Sequence, residues 1–169
     1  EEEWRTIVDA CSSRACKTES RWLYSCEVTS KAALIKPPGS YLEVPLDEAL
    51  EDLGGRWAMK VADAHSRVWQ KAISSRRDYG TALRISASMA RDVSEEKAQL
   101  ALEILKARIK EQPRGARRGL LIDLYSTVEQ AVSMALYPTG SLRSYQDKQR
   151  RLREEITRLT TRLEFEGPA

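Results

Sequence analysis

Four long stretches of the chain repeat apolar residues every three or four positions, the spacing that places them on one face of an α-helix. In the first, Leu46, Leu50, Leu53, Trp57, Val61, Ala64, Val68 and Ala72 follow one another in steps of 4, 3, 4, 4, 3, 4 and 4. This eleven-residue repeat lies close to the natural period of a straight helix. Pro45 suits the start of such a helix, and Asp47, Glu48, Glu51 and Asp52 load its first turns with the charge that its dipole favours. Gly54-Gly55 interrupts the stretch at about 1 kcal/mol per glycine, yet the stripe continues in phase. One helix of roughly 40 Å is therefore expected, with a bend at the glycines where a neighbouring backbone comes close.

A second stretch runs from about Asp78 to Glu111. Tyr79, Leu83, Ser86 or Ala87, and Ala90 share a face in its first part, and Ala98, Ala101, Leu102, Ile104, Leu105 and Ile109 form a wide apolar face in its second. Asp92 followed by Glu95 matches a capping box, so the stretch reads either as one long helix or as two with a kink near Asp92. Gln112-Pro113-Arg114-Gly115 ends it. The third helix is expected over Ala116 to Tyr137, with Leu121, Leu124, Tyr125, Val128, Ala131, Val132 and Ala135 inward. The fourth runs from Ser141 to about Glu164, and there Leu142, Tyr145, Gln149, Leu152, Ile156, Leu159 and Leu163 step 3, 4, 3, 4, 3, 4. That is a coiled-coil a/d pattern, with Gln149 as the single polar residue of the seam.

The first 40 residues are less regular. Trp4, Ile7, Val8 and Cys11 fit a short amphipathic helix, whereas residues 21–28 fit a short strand or a helical turn. Pro37-Pro38-Gly39 stops whatever precedes it. The expected fold is all-α: an antiparallel bundle of about four long helices over 41–166, with an irregular, cysteine-containing segment, 1–40, packed on it.

Composition narrows the function classes. There are 169 residues, enough for one ordinary domain. Charged residues make up 31%, but 28 Lys and Arg stand against 25 Asp and Glu, a net charge of only +3. That mixture is unlike a dedicated polyanion binder, unless the basic residues are locally concentrated. They are concentrated at one place: Lys106, Arg108, Lys110, Arg114, Arg117 and Arg118 surround the turn between the second and third helices, opposed only by Glu111. This candidate anion patch fits phosphate, an acidic protein or lipid headgroups, although a solvated surface with basic residues at a helix C-terminus is the commoner explanation of such a cluster. No apolar run approaches the roughly 18–20 residues that span a bilayer.

Chemistry is sparse. His65 is the only histidine, which excludes two-histidine metal sites, and it reads as a helix residue beside the Val61/Ala64/Val68 stripe. Cys11, Cys16 and Cys26 have a spacing that matches no compact zinc pattern. They instead allow one disulfide, a reading that favours an oxidising, periplasmic or secreted setting over a cytoplasmic one. No phosphate loop, dinucleotide motif or nucleophile elbow occurs, and no cofactor is implied. Trp57 belongs to the first stripe, while Trp69 lies beside it and would mark an interface if exposed.

The expectation is a non-enzymatic helical protein-protein interaction module, a structural component or adaptor of an assembly. It would act through the seam Leu142, Tyr145, Gln149, Leu152, Ile156, Leu159 and Leu163 toward a protein partner or a second copy. Two alternatives stand beside it: nucleic-acid or other polyanion binding through the 106–118 turn, and an exported, disulfide-bearing binding or inhibitor protein.

Overall fold

In the computed structural model, which describes residues 23–167, the stripe from Leu46 to Ala72 lies inside the molecule along its entire length. Five helices make up the fold of the described residues. The first, α1, spans Leu23–Ala32, and a short 3-10 turn over Pro38–Leu42 follows it. The second, α2, is continuous over 46–74 in three pieces: Leu46–Leu50, a π-helical stretch Glu51–Ala58, and Met59–Ser74. The others are α3, Tyr79–Glu111, α4, Ala116–Leu136, and α5, Leu142–Glu166. The bundle is all-α as its periodicity requires, with α1 added to the four long helices. No strand occurs among the described residues, and residues 23–28 are helix rather than strand. Among those residues no helix is long and apolar enough to cross a membrane.

Local chemistry places the helix ends. The Asp78 side chain accepts from the Thr81 amide at 3.2 Å and caps α3. Ser141 and Ser144 exchange hydrogen bonds at the start of α5. After α2, Arg77 N–H donates to the Ala72 carbonyl and Arg76 N–H to that of Ile73. These are the two bonds of a Schellman ending, and they hold Arg76 at φ 51°, the left-handed position that usually goes to glycine.

The helix α2 packs on every other helix, and α1, α3, α4 and α5 follow one another around it. Leu50, Leu53, Val61, Ala64 and Val68 are at most 1% exposed; burying a leucine this fully stabilises the fold by roughly 2 kcal/mol. The α1 end is tied to α2 where Trp57 Nε1–H donates to the Ala32 carbonyl at 3.0 Å, and where Glu27 pairs with Arg67 and Lys71.

The close approach expected at Gly54-Gly55 is present, but it is made by side chains rather than by a backbone. A Cβ on Gly54 would stand 2.6 Å from Val128 of α4, and one on Gly55 would stand 3.4 Å from Ile156 of α5. A π-turn opens the helix at this point and carries one residue more than an α-turn. Its inner side lacks Cβ atoms where two neighbouring helices press in. The helix is widened here, and its apolar stripe remains buried on both sides of the π-turn.

α3 is one helix, and Asp92 with Glu95 caps nothing. Leu83, Ala87, Ala90, Ser94, Ala98, Ala101, Leu105 and Ile109 are all buried, in the same 4, 3, 4, 4, 3, 4, 4 steps as α2. Burial of this stripe overrides the capping propensity of Asp92. The Ser94 hydroxyl donates back to the Ala90 carbonyl at 2.6 Å.

Gly54→Ala should destabilise the protein by about 1–3 kcal/mol in urea unfolding, because the added methyl has no room. Gly119→Ala, in α4 with nothing within 4 Å of its added Cβ, should stabilise it by about 0.5–1 kcal/mol. Equal effects of the two substitutions would contradict the packing described.

Candidate functional site

The seam of α5 is occupied within the chain. Tyr145, Gln149, Leu152, Ile156, Leu159 and Leu163 are buried, and Leu142 packs half-buried on the same core. Their partners are α2 and α4. Gln149, the polar residue of the seam, accepts from Ser66 Oγ at 3.4 Å and donates to the Asp63 carboxylate, which Arg153 also holds at 3.2 Å. The polar position thus sets the register of α5 on α2. The period of the seam was correctly apolar, but it carries no mark of which surface covers it.

Trp69 is 2% exposed, 5.7 Å from the Tyr145 ring and stacked on Tyr79 at 6.3 Å. It is a core residue and marks no interface. His65 is also fully buried: its Nε2–H donates to the Ala135 carbonyl at 2.8 Å, and Nδ1 has no partner. Burial, offset in part by the Ala135 bond, lowers its pKa to about 4, so the ring is neutral. Cys26 lies partly buried in α1; Cys11, Cys16, Trp4 and Trp22 fall outside the described residues, as does the short helix expected at 4–11.

The basic turn divides into two groups. Arg108 and Arg117 are structural clamps. Arg108 Nη1 donates to the Tyr41 carbonyl at 2.5 Å, and Arg117 Nη1 donates to the carbonyls of Leu163 and Gly167 at 2.9 and 2.6 Å. Arg117 also stands 3.7 Å from Asp47, so one guanidinium joins the end of α5 to the start of α2. Lys106, Lys110 and Arg114 are exposed, with no carboxylate at ion-pair distance among the described residues. Arg118 is partly buried, and its Nε–H meets no acceptor among those residues. Arg114, Arg117 and Arg118 line an open recess of about 210 Å³ together with Glu166, while Lys106 and Lys110 lie outside its lining, on the last turns of α3. The N-terminus of α4 opens into it: Gly115 stands at the cap position, and no side chain caps the first amides.

No family model matches the chain, and neither does any curated protein or solved structure. The functional reading therefore rests on the residues themselves.

A second recess, of about 260 Å³, sits on the π-turn of α2 and was not foreseen. Asp52, Arg56 and Trp57 come from the turn itself, Lys60 from the next turn, and Lys36 and Tyr41 from the connection between α1 and α2. Asp52 is 12% exposed and held on both oxygens: Lys36 Nζ is 2.8 Å from Oδ2 and Arg56 Nη1 is 3.5 Å from Oδ1. Tyr41 is 1% exposed; its hydroxyl oxygen lies near the Lys36 main chain, and its O–H meets no acceptor among the described residues. Burial and the Asp52 charge push its pKa well above the usual value, so it remains a protonated donor. No sequence motif joins these residues; only the π-helical hydrogen bonding and the Arg108 clamp bring them together. Two adjacent glycines inside an otherwise unbroken apolar stripe were the one local signal that the helix is unusual there.

The His65 ring gives a pH test. Its pKa is about 4 in the fold and about 6.5 when unfolded, so between these values the unfolded chain binds more protons. Stability is complete above about pH 6.5, falls as the pH drops toward about 4, and levels off below. Between pH 7 and 5 the loss should be about 2 kcal/mol in urea unfolding. As the only histidine, its imidazole resonances are unambiguous in NMR; a midpoint near 6.5 would refute its burial.

Proposed function

We propose that the chain is a non-enzymatic helical protein-protein interaction module, an adaptor or structural component, that docks an acidic protein segment on the cationic turn between α3 and α4. The observation that carries this reading is the uncapped start of α4, lined by Arg114 and Arg118, with Lys106 and Lys110 exposed on the last turns of α3 before it and none of the four ion-paired among the described residues. Positive charge and unpaired amides at a helix start favour a carboxylate-bearing ligand. The absence of enzymatic function is inferred from the only histidine, which is neutral, buried and bonded to a main-chain carbonyl.

A protein partner fits this end better than a nucleic acid. Glu111 and Glu166 stand among the cations and would repel a continuous phosphate backbone, whereas a protein can answer mixed charges one by one. Phe165, next to Glu166, is 87% exposed and offers the aromatic anchor common at protein interfaces. The seam of α5 has no part in this docking, since its residues are core.

A glutamate-rich peptide with one aromatic residue should bind with an affinity that falls as salt rises. The triple variant Lys106→Glu, Lys110→Glu, Arg114→Glu should lose about tenfold or more in that affinity at low salt while its circular dichroism is unchanged. Unchanged peptide binding in the variant would refute the proposal. Tighter binding of a DNA duplex than of the peptide would replace it with the polyanion reading.

A further inference from the structure

We propose that the recess over the π-turn of α2 is a binding site for a carboxylate carried on a short apolar body. It shares no lining residue with the recess at 112–118, and it stands or falls independently of the docking proposed there.

The argument begins with hydrogen-bonding capacity. Both oxygens of Asp52, the only carboxylate lining the recess, are taken by Lys36 and Arg56. The Tyr41 hydroxyl lies close enough to Asp52 to feel its charge, but it is not in hydrogen-bonding geometry with it and meets no acceptor among the described residues. Lys60 is exposed and has no carboxylate at ion-pair distance among the described residues. The open valences of the recess are thus donors: the Tyr41 hydroxyl, the Lys60 ammonium and the remaining N–H groups of Lys36 and Arg56. A buried hydroxyl without a partner is costly, and a ligand that brings acceptor oxygens removes that cost.

Charge and shape narrow the ligand. Lys36, Arg56 and Lys60 face Asp52, and Glu51 lies 3.9 Å from Arg56, so one positive charge is left over. That balance matches a monoanion, and a dianionic phosphate would meet Asp52 in the wall. The Trp57 indole N–H is already bonded to the Ala32 carbonyl, so its ring offers only an apolar face. Leu34, 61% exposed, adds an apolar rim. The volume, about 260 Å³, is below that of a drug-sized pocket and suits a small body. A π-turn in the wall is itself a common feature of functional sites.

Phenylacetate, its neutral amide phenylacetamide and inorganic phosphate serve as probes in calorimetric titration. The intact chain should bind phenylacetate saturably, and phenylacetamide and phosphate at least tenfold more weakly. Tyr41→Phe should weaken phenylacetate about tenfold, the effect of losing one hydrogen bond to a charged group, and Lys60→Gln should weaken it several-fold. Without ligand, Tyr41→Phe should leave Tm unchanged or raised, since its O–H donates to no acceptor among the described residues. A short peptide with a free C-terminal phenylalanine, compared with its amidated form, distinguishes the sources. Preference for the free-acid peptide over phenylacetate assigns the carboxylate to a chain terminus, and the reverse to a free small acid. Equal binding of phenylacetamide, stronger binding of phosphate, unchanged binding in Tyr41→Phe, or a Tm lowered by that substitution would each overturn the proposal.

Discussion

The contact on which the rest of the bundle depends is the approach of Val128 to Gly54. It lets α4 lie against the middle of α2 at a distance that no residue with a Cβ would permit. Close-packed interiors tolerate neither overlap nor void at such a point. The helix answers by opening into a π-turn over Glu51–Ala58, which gives its inner side to α4 and α5 and its outer side to the recess with Tyr41. One local departure from α-helical geometry thereby serves packing on one side and exposes polar chemistry on the other.

With α2 at the centre, polar bonds at the ends of the outer helices add to the apolar packing of their buried faces. Arg117 reaches the last carbonyls of α5 and the first turn of α2. Arg91 donates to the Leu136 carbonyl at 3.0 Å and lies 4.9 Å over the Tyr137 ring at the end of α4. Cations at helix C-termini oppose the dipole and satisfy carbonyls that would otherwise be unpaired. Several arginines that look like a surface charge pattern are thus structural. Among the cations without an ion pair in the described residues, Lys106, Lys110, Arg114 and Arg118 near the turn and Lys60 over the π-turn are the ones on which the two proposals rest.

Much of the fold was legible in the sequence, because helix periodicity is a local property. The starts and ends of α2, α3, α4 and α5 lie within about two residues of where the apolar stripes and the Pro and Gly stops place them. The single long α3 was legible too, since its stripe from Leu83 to Ile109 repeats that of α2, but small residues such as Ala87, Ala90 and Ser94 obscure it beside the capping pattern at Asp92. Other features depend on pairs distant in the chain. The heptads of α5 say that Leu152 and Leu159 are covered, not that α2 and α4 cover them. The role of Arg108 depends on Tyr41, 67 residues away, and nothing in the local pattern around Tyr41 announces an unpartnered hydroxyl.

The most direct test of the central contact is a double-mutant cycle between Gly54→Ala and Val128→Ala, read by urea unfolding. Removing the Val128 methyls takes away the contact at 2.6 Å and leaves the Val128 Cβ at 3.0 Å, so Gly54→Ala should cost much less in the Val128→Ala background than in the native chain. The two single costs should fail to add by about 1 kcal/mol or more. Strict additivity of the two costs would contradict the account, because it would mean that these residues do not meet.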